Sequence, residues 1–327
     1  MLITLLRSAK GKCWRVDLVL PATVFLLACV VLVTTTPNAA AEGAIPVEGK
    51  YVRLVRPGVL EIRLGDRKVA EYRFGKDVPK PYIYPVLGPD GKPMTEDAPR
   101  DHVHHRSIYF SHDEVGGHHF WHEGRGGSPI RHERFLKIYD KKEGPGFTSV
   151  NAWMAGDKPL LRDTRTFRFI PLEKDEYLLD ISIKFAAVDR DVTFGQTKEA
   201  GLPGLRVAPE LRVRGGRGRM VNSEGKINEK ECWGKKAKWV DYTGQRPDST
   251  WVGIACMAHP SNRPYPPAWH ARDYGLLGTN YTKWHKPVTL KPGDAPWTLR
   301  SRFYIHRGKT EDAKVAEQFE RYSKESE

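Results

Sequence analysis

Short runs in which apolar and polar residues alternate recur from residue 50 onward, separated by turn-forming residues. The alternation is clearest in YLLDISIKFAAV, where four apolar residues share one face, as a half-buried strand requires: Leu179, Ile181, Ile183 and Phe185. Most of the 24 prolines and 30 glycines lie between the runs, where they end strands and permit turns. This pattern predicts an all-β protein, built as a large two-sheet β-sandwich.

One short helix is predicted near the C-terminus. Thr310 would be its N-cap, and the acidic Glu311 and Asp312 would suit the positive end of the helix dipole. Ala316 and Phe319 would share the face that packs on the sandwich. The rest of the sequence after residue 50 indicates strands and turns.

The first 41 residues differ in kind from the rest. A basic start is followed by an almost wholly apolar run from Leu18 to Val33 and by the small residues Ala39, Ala40 and Ala41. This layout is typical of a secretory signal peptide, so we expect cleavage near Ala41 and export to the periplasm or the exterior. Residues 42–327 would then form a single β-sandwich domain. The alternative is an uncleaved leader that anchors the protein in the membrane.

Composition and charge narrow the class of protein. A hydrophobic content of 39% is too high for intrinsic disorder. Loss of the leader removes four basic residues and one acidic residue, so the net charge falls from +13 to +10. Acidic residues lie among the basic ones, which favours solvated charge over a nucleic-acid surface. Cys232 and Cys256 remain in the mature chain and could pair in an exported protein.

Seven of the twelve histidines lie in DHVHHRSIYFSHDEVGGHHFWHEG, residues 101–124. His102 and His104 have the two-residue spacing by which a strand presents two imidazoles, so a divalent metal on these histidines is one interpretation. Acid–base catalysis is the other, with His104 to His112 extended so that the rings are held rigidly. Three glycine-flanked histidines are expected to be loop residues without a site role: His118, His119 and His122.

Two further segments carry candidate site residues. In FGQTKEAGLPGLRVAPEL, Lys198 and Glu199 precede a glycine turn, and a carboxylate near imidazoles would complete an acid–base pair. Residues 258–280 mix aromatic and polar side chains in a proline-rich loop, which suits a sugar that stacks on Trp269 or Tyr274 and hydrogen-bonds through its hydroxyls. A tightly packed structural loop is the alternative for this segment.

Several known motifs are missing from the sequence. It contains no Walker loop, G-x-S-x-G elbow, C-x-x-C pair or H-E-x-x-H helix. Nucleotide hydrolysis, classical serine hydrolysis and zinc-dependent proteolysis therefore lose their usual support.

Four ordered motifs resemble those of a bacterial family labelled PmoA-like: KPYIYPVLGPDGKP, DHVHHRSIYFSH, TKEAGLPGLRVAPEL and GIACMAHPSNRPYPPAWHARDYGLLGTN. The resemblance spans about residues 50–310 and implies a β-supersandwich similar to that of galactose mutarotase. It does not imply a genuine methane monooxygenase subunit, which has several membrane spans, because this chain has no apolar run beyond its leader. The residues that match the family's motifs are His104, His105, Arg106, His112, Lys198, Glu199, Arg206, His259, Asn262, His270 and Arg272.

The leading functional hypothesis is an exported carbohydrate-active protein, a sugar epimerase, lyase or hydrolase that requires no cofactor. His104 or His105 would act as general acid at the ring oxygen and Glu199 as base at the anomeric hydroxyl. The remaining catalytic candidates are His112, His259 and His270, and the substrate-binding candidates are Arg106, Lys198, Arg206, Asn262, Trp269, Arg272 and Tyr274. The alternatives are a non-catalytic carbohydrate-binding protein and a metal-dependent enzyme with histidine ligands.

Overall fold

The structure is a computed structural model that describes residues 47–124 and 126–326. The predicted leader and its cleavage site lie outside these residues. The strands in the described chain are β1 (Val52–Arg56), β2 (Val59–Leu64), β3 (Arg67–Arg73), β4 (Tyr82–Val86), β5 (Ile108–His112), β6 (Ile130–Tyr139), β7 (Gly146–Ala155), β8 (Lys158–Pro171), β9 (Tyr177–Ala187), β10 (Val192–Phe194), β11 (Ala200–Arg206), β12 (Gly218–Asn222), β13 (Trp239–Gln245), β14 (Trp251–Ala258), β15 (Ala268–Ala271), β16 (Leu276–Asn280), β17 (Val288–Leu290) and β18 (Trp297–Arg307). Helical segments are α1 (Asn228–Cys232), α2 (Val315–Tyr322) and the single 3-10 turns Glu173–Asp175 and Pro209–Leu211.

Two eight-stranded antiparallel sheets make up the sandwich. The first sheet has the order β1-β2-β3-β4-β5-β11-β16-β15, and the second has the order β12-β13-β14-β18-β9-β8-β7-β6. Strands β10 and β17 form a separate two-stranded ribbon. The prediction of an all-β, two-sheet sandwich is therefore confirmed.

The core lies between the two sheets and is rich in aromatic side chains. Tyr72 of the first sheet packs against Phe147 of the second, with ring centroids 4.7 Å apart, and Phe110 packs against Phe167 at 6.3 Å. The alternating residues predicted to share a face of β9 all lie in this core: Leu179, Ile181, Ile183 and Phe185. Burial of these side chains between the sheets supplies most of the driving force for the fold.

Alternation along β5, β11 and β15 sends every second side chain to the face of the first sheet that points away from the second sheet. We call this the outer face. Phe110 lies in the core while its neighbour Tyr109 lies on the outer face. In β15, Trp269 and Ala271 join the core, so the intervening His270 points to the outer face.

A row of four cross-strand partners crosses the outer face. Tyr109 pairs with Gly204, Gly204 with Gly278, and Gly278 with His270. The two central positions carry no side chain, and the indole of Trp121 lies between the two ends of the row, 5.7 Å from the Tyr109 ring and 6.0 Å from the His270 ring. The glycines thus leave a depression in the sheet between Tyr109 and His270.

The C-terminal helix exists, but its predicted start is wrong, and of the two residues predicted to pack on the sandwich only Phe319 is buried. It begins at Val315, because Lys314 adopts a left-handed conformation with φ 53° and interrupts the turn that starts at Thr310. Its buried residues are Val315, Phe319 and Tyr322, whereas Ala316 is exposed. The spacing of four and three residues gives the stripe that packs on the sheet.

Cys232 and Cys256 are free, buried thiols. The disulfide considered from the sequence is therefore not formed, and burial raises the pKa of Cys232 to about 12. A fully buried ion pair lies in the second sheet, where His306 Nε2 is 3.1 Å from Asp241 Oδ1. No helix among the described residues is long and apolar enough to cross a membrane.

Candidate functional site

A cavity of about 390 Å³ opens on the outer face of the first sheet. Its walls come from the loop before β5, the segment after β5, the turn before β11, the loop before β12, and β15 with the loop that follows it. The lining residues are His102, His104, His105, Trp121, His122, Lys198, Glu199, Arg214, His270, Arg272 and Tyr274. We call this the histidine cavity. A cavity of about 700 Å³ elsewhere, next to Trp297, has no carboxylate in its lining.

Three segments distant in sequence therefore meet at one place. The structure brings His105, Glu199 and His270 to the wall of the same cavity. Strands β5, β11, β16 and β15 are consecutive in the first sheet, so the loops and residues attached to them become neighbours. The order of the strands in the first sheet therefore brings the three sequence segments together.

Arg206 lies behind His105 and holds its ring. A guanidinium nitrogen of Arg206 is 3.3 Å from His105 Nδ1, and both side chains are buried. The same guanidinium donates to both carboxylate oxygens of Asp101 at 2.9 Å. Because a guanidinium has donors and no acceptor, Nδ1 of His105 must accept, which leaves the proton of a neutral ring on Nε2.

His102, His105 and Tyr274 form a group of nearly parallel rings. The His102 ring is 4.6 Å from that of His105 and 4.7 Å from that of Tyr274, with interplanar angles of 4° and 12°. His102 Nδ1 lies 3.0 Å from a carboxylate oxygen of Asp101. Asp101 therefore links the guanidinium of Arg206 to the imidazole of His102, whose ring stacks on both of the others.

Burial governs the charge of the central histidines. Burial, followed by the charge of His122, lowers the pKa of His104 to about 4. Burial, followed by the charges of Arg272 and Lys198, lowers the pKa of His270 to about 3. Burial likewise lowers the pKa of His105 far below its ordinary value. These three imidazoles are neutral at neutral pH.

Glu199 is the single carboxylate in the lining of the histidine cavity. It is 3.5 Å from the ammonium of Lys198, which is half exposed, and its own side chain is 23% exposed. Its backbone N–H donates to Thr197 Oγ1, which fixes the turn before β11. A partly solvated carboxylate beside neutral imidazoles provides a proton acceptor in the cavity.

Six of the site residues predicted from the sequence do not line the cavity, because their side chains make contacts elsewhere: Arg106, His112, Arg206, His259, Asn262 and Trp269. His112 has the same orientation as Phe110 and packs in the interior against Phe194, with Nε2 3.0 Å from Thr282 Oγ1. Trp269 lies in the core because it alternates with His270, and its indole N–H donates to the Ala237 carbonyl. The expectation that Trp269 binds the substrate is therefore wrong, because strand alternation sends its side chain to the core and that of His270 to the outer face.

His259 and Asn262 stabilise the other end of the loop. His259 Nε2 lies 3.1 Å from the Glu325 carbonyl, beside α2, and Asn262 donates to Tyr281 Oη and to the Arg300 carbonyl. Arg106 is also outside the cavity lining. Its guanidinium donates to Glu123 at 2.6 Å and to Asp97 at 3.0 Å, which ties together the loops on either side of β5.

Several lining residues were not chosen from the sequence. His102 was considered as a metal ligand, and His122 was expected to be a loop residue, but His122 lies at the cavity wall with its ring 4.5 Å from that of His104. Trp121 and Arg214 gave no local signal of their own. Residues 104–107 lie outside any strand and are not part of an extended run to His112, since β5 starts at Ile108. Among the described residues, no group of three or more metal-ligating side chains is arranged to hold a metal ion.

Fold and site together define a two-sheet β-sandwich protein with a polar, histidine-lined cavity on the outer face of one sheet. The chain belongs to a family of unknown function, DUF6807, whose model matches residues 59–320. No curated protein matches the sequence.

Three solved structures are similar to this chain at low identity. A protein from the human microbiome assigned as a kojibiose phosphorylase has 10% identity and a TM-score of 0.36, and the match covers 87% of this chain but only 37% of that one. A GalM/aldose epimerase homologue from C. elegans has 8% identity and a TM-score of 0.32, covering 77% of this chain and 96% of the other. A protein from Salmonella typhimurium assigned as a mutarotase (YeaD) has 11% identity and a TM-score of 0.28, covering 80% and 97%. With TM-scores below 0.5, these likenesses do not transfer an activity to this chain.

Proposed function

We propose that the protein binds a saccharide in the histidine cavity and catalyses proton transfer on it, as a sugar epimerase or lyase does. The observation that carries the proposal is the pairing of Glu199, a partly solvated carboxylate, with His105, a buried neutral imidazole of fixed tautomer, in one cavity. Nearly every side chain that lines the cavity can form hydrogen bonds, which suits a ligand rich in hydroxyl groups. The volume of the cavity lies in the range of small-molecule sites.

His105 acts as a neutral hydrogen-bond donor and not as the general acid expected from the sequence. Arg206 occupies Nδ1, so Nε2–H is the group available to a ligand oxygen. A neutral imidazole placed in this way stabilises negative charge as it develops on that oxygen. The environment of His105 disfavours a second proton on the ring, so the geometry does not favour full protonation of a leaving group.

Glu199 then removes a proton from the substrate. Its carboxylate accepts a proton from an anomeric hydroxyl or from a carbon next to a carbonyl group, while His105 stabilises the oxygen that gains charge. The division of roles fits epimerisation or elimination better than hydrolysis, which needs a strong proton donor at the leaving group. His270, which is 2% exposed and has no hydrogen-bond partner for Nδ1 within the described residues, is a further group that a ligand could engage.

The test is a glycan array of neutral and acidic saccharides, followed by turnover assays on every saccharide that binds. We expect at least one saccharide to bind and to be epimerised or cleaved. Glu199→Gln should lower kcat at least about a hundredfold, because it removes the base but keeps the shape of the side chain. His119→Ala is the matched control, since His119 is exposed and does not line the cavity.

His105 variants separate the two possible roles of the imidazole. His105→Gln places an amide N–H near the position of Nε2, so it should retain more kcat than His105→Ala if the ring is a neutral donor. Equal loss in both variants would favour a proton-donating imidazolium. Binding without any turnover would leave a carbohydrate-binding protein, and absence of binding by all saccharides would overturn the proposal.

A further inference from the structure

The histidine cavity adjoins a second cavity of about 760 Å³. Three residues line both cavities: His102, Arg214 and Tyr274. The other residues of the second cavity are Glu96, Pro99, Arg100, Asp101 and Arg212. The paired rings of His102 and Tyr274 therefore form a partition, and a ligand longer than one sugar ring could extend across it.

The acidic groups at the two cavities are already paired. Arg206 makes contact with both Glu96 and Asp101, and Glu96 also pairs with Arg212. Burial raises the pKa of Asp101, but hydrogen bonds from Arg206 and His102 outweigh this and lower it to about 2. Asp101 is therefore ionised, and Asp101 and Glu96 are both paired with the arginines behind and beside them.

Two arginines that line the second cavity have no carboxylate partner among the described residues. Within the described residues, Arg100 and Arg214 make no ion pair at 4.0 Å or less. Arg272 lies 3.0 Å from Glu229, and Lys198 lies 3.5 Å from Glu199. The two adjoining cavities therefore carry an excess of positive charge that the protein itself does not neutralise, centred on Arg214 because it lines both.

We propose that the substrate is an acidic saccharide, and that Arg214 binds its anionic group where the two cavities meet. This inference rests on the proposed function and names its substrate class. A guanidinium binds carboxylate and sulfate groups through paired N–H donors, so the shared chemistry is a carboxylate or a sulfate on the sugar. Excess charge lining a cleft also concentrates anionic ligands there.

A carboxylate on the sugar would also make a neighbouring C–H proton available for removal by Glu199. In a uronic acid the C5–H bond is next to the carboxylate, and a guanidinium that neutralises this carboxylate makes the proton easier to remove. Glu199 would take that proton, and the electron pair of the broken C–H bond would be delocalised onto the carboxylate oxygens. Return of a proton to C5 from water on the opposite face gives the epimer, whereas departure of the C4 oxygen with the C4–O electron pair, followed by its protonation by water, gives a C4=C5 double bond.

The experiment compares acidic saccharides with neutralised forms of the same molecules. Uronic acid oligosaccharides are measured against their methyl esters, and sulfated oligosaccharides against their desulfated forms, by titration calorimetry on the full chain. We expect the acidic forms to bind at least about tenfold more tightly, with an advantage that falls as salt is added. A preference for uronic acids over their methyl esters would identify a carboxylate as the group that Arg214 binds, and a preference for sulfated over desulfated oligosaccharides would identify a sulfate.

Two arginine variants locate the interaction. Arg214→Gln should lower the affinity for the acidic form about tenfold and leave the affinity for the neutral form within about twofold. Arg217→Gln is the matched control, because Arg217 is exposed in the same segment and lines neither cavity. Equal losses in both variants, or equal affinity for acidic and neutral forms, would overturn the inference while leaving a sugar-binding cavity intact. If neither form binds, it is the proposed function that fails.

Discussion

Gly204 and Tyr109 are cross-strand partners, and a β-carbon added to Gly204 would lie 2.8 Å from Cζ of the tyrosine ring. The ring is buried beneath Trp121 and cannot move aside without disturbing the cavity wall. Gly204→Ala should therefore destabilise the protein by about 1–3 kcal/mol through overpacking. Urea unfolding measures the change in the free energy of unfolding.

A double variant isolates the cause of that loss. Tyr109→Leu removes the ring, so Gly204→Ala should cost less in the Tyr109→Leu background than in the natural chain. Gly75→Ala is the control, because the added β-carbon would lie 3.6 Å from Gly58 Cα, an ordinary contact. Additive effects of Gly204→Ala and Tyr109→Leu would show that the contact with the ring is not the reason.

The tautomer of His105 should depend on Arg206. In the natural chain we expect the proton on Nε2, because Arg206 donates to Nδ1. Arg206→Met should give a mixture of tautomers and cost about 1–3 kcal/mol, since Asp101 and Glu96 each lose one of their partners. Nitrogen NMR of labelled histidine reports the tautomer, and an unchanged spectrum in Arg206→Met would contradict the assignment.

Alternation along the sequence predicted the sandwich, and residues of all three candidate segments line the histidine cavity. Alternation with period two, as in residues 177–188, identifies strands without knowledge of their partners. The same rule could have separated Trp269 from His270, since neighbours on a strand face opposite sides. It could not have selected His122 or Arg214, because a loop position has no periodicity and its distance from the cavity depends on the tertiary fold.

Stability should fall as the solution is made acidic. Burial lowers the pKa of His112 to about 3 in the folded protein, so the unfolded chain takes up a proton below about pH 6.5 while the folded protein does not. The stabilisation is complete above that pH and is lost as the pH falls from about 6.5 towards 3. Each such histidine adds at most about 1.4 kcal/mol per pH unit to the slope.

His112→Gln tests this dependence without removing the contact to Thr282. Urea unfolding between pH 7 and pH 4 should show a shallower decline in the variant than in the natural chain. His119→Gln, at an exposed position, is the reference and should leave the slope unchanged. A slope that is equal in all three proteins would mean that His112 is not among the residues responsible.

The pKa of His306 is raised in the folded protein, so its contribution to the free energy of unfolding has the opposite sign and is lost as the pH rises.

The ion pair between Asp241 and His306 should be sensitive to removal of one partner. Both side chains are fully buried, and burial, which opposes the charged ring, is outweighed by Asp241, so the pKa of His306 is raised. Asp241→Ala leaves the imidazole without a counter-charge and should cost about 3–5 kcal/mol. Asp248→Ala, at an exposed ion pair with Lys92, should have a much smaller effect in the same thermal unfolding assay. Similar losses in the two variants would count against a dominant role for the buried pair.

Export remains a prediction from the sequence. If the leader is a signal peptide, protein recovered from the cell envelope of the native host should begin near Glu42. Amino-terminal sequencing of that material gives the answer directly. Intact residues 1–41 on the recovered chain would instead indicate an anchor.

The position of Trp121 between His104, His105 and His270 has a spectroscopic consequence. The emission of an indole responds to the polarity and the charge around it, and this ring forms part of the cavity wall. A ligand that displaces water or changes the charge of a neighbouring imidazole would alter its fluorescence. The difference in emission between the natural chain and Trp121→Phe would therefore give a label-free signal for screening ligands before any reaction is known.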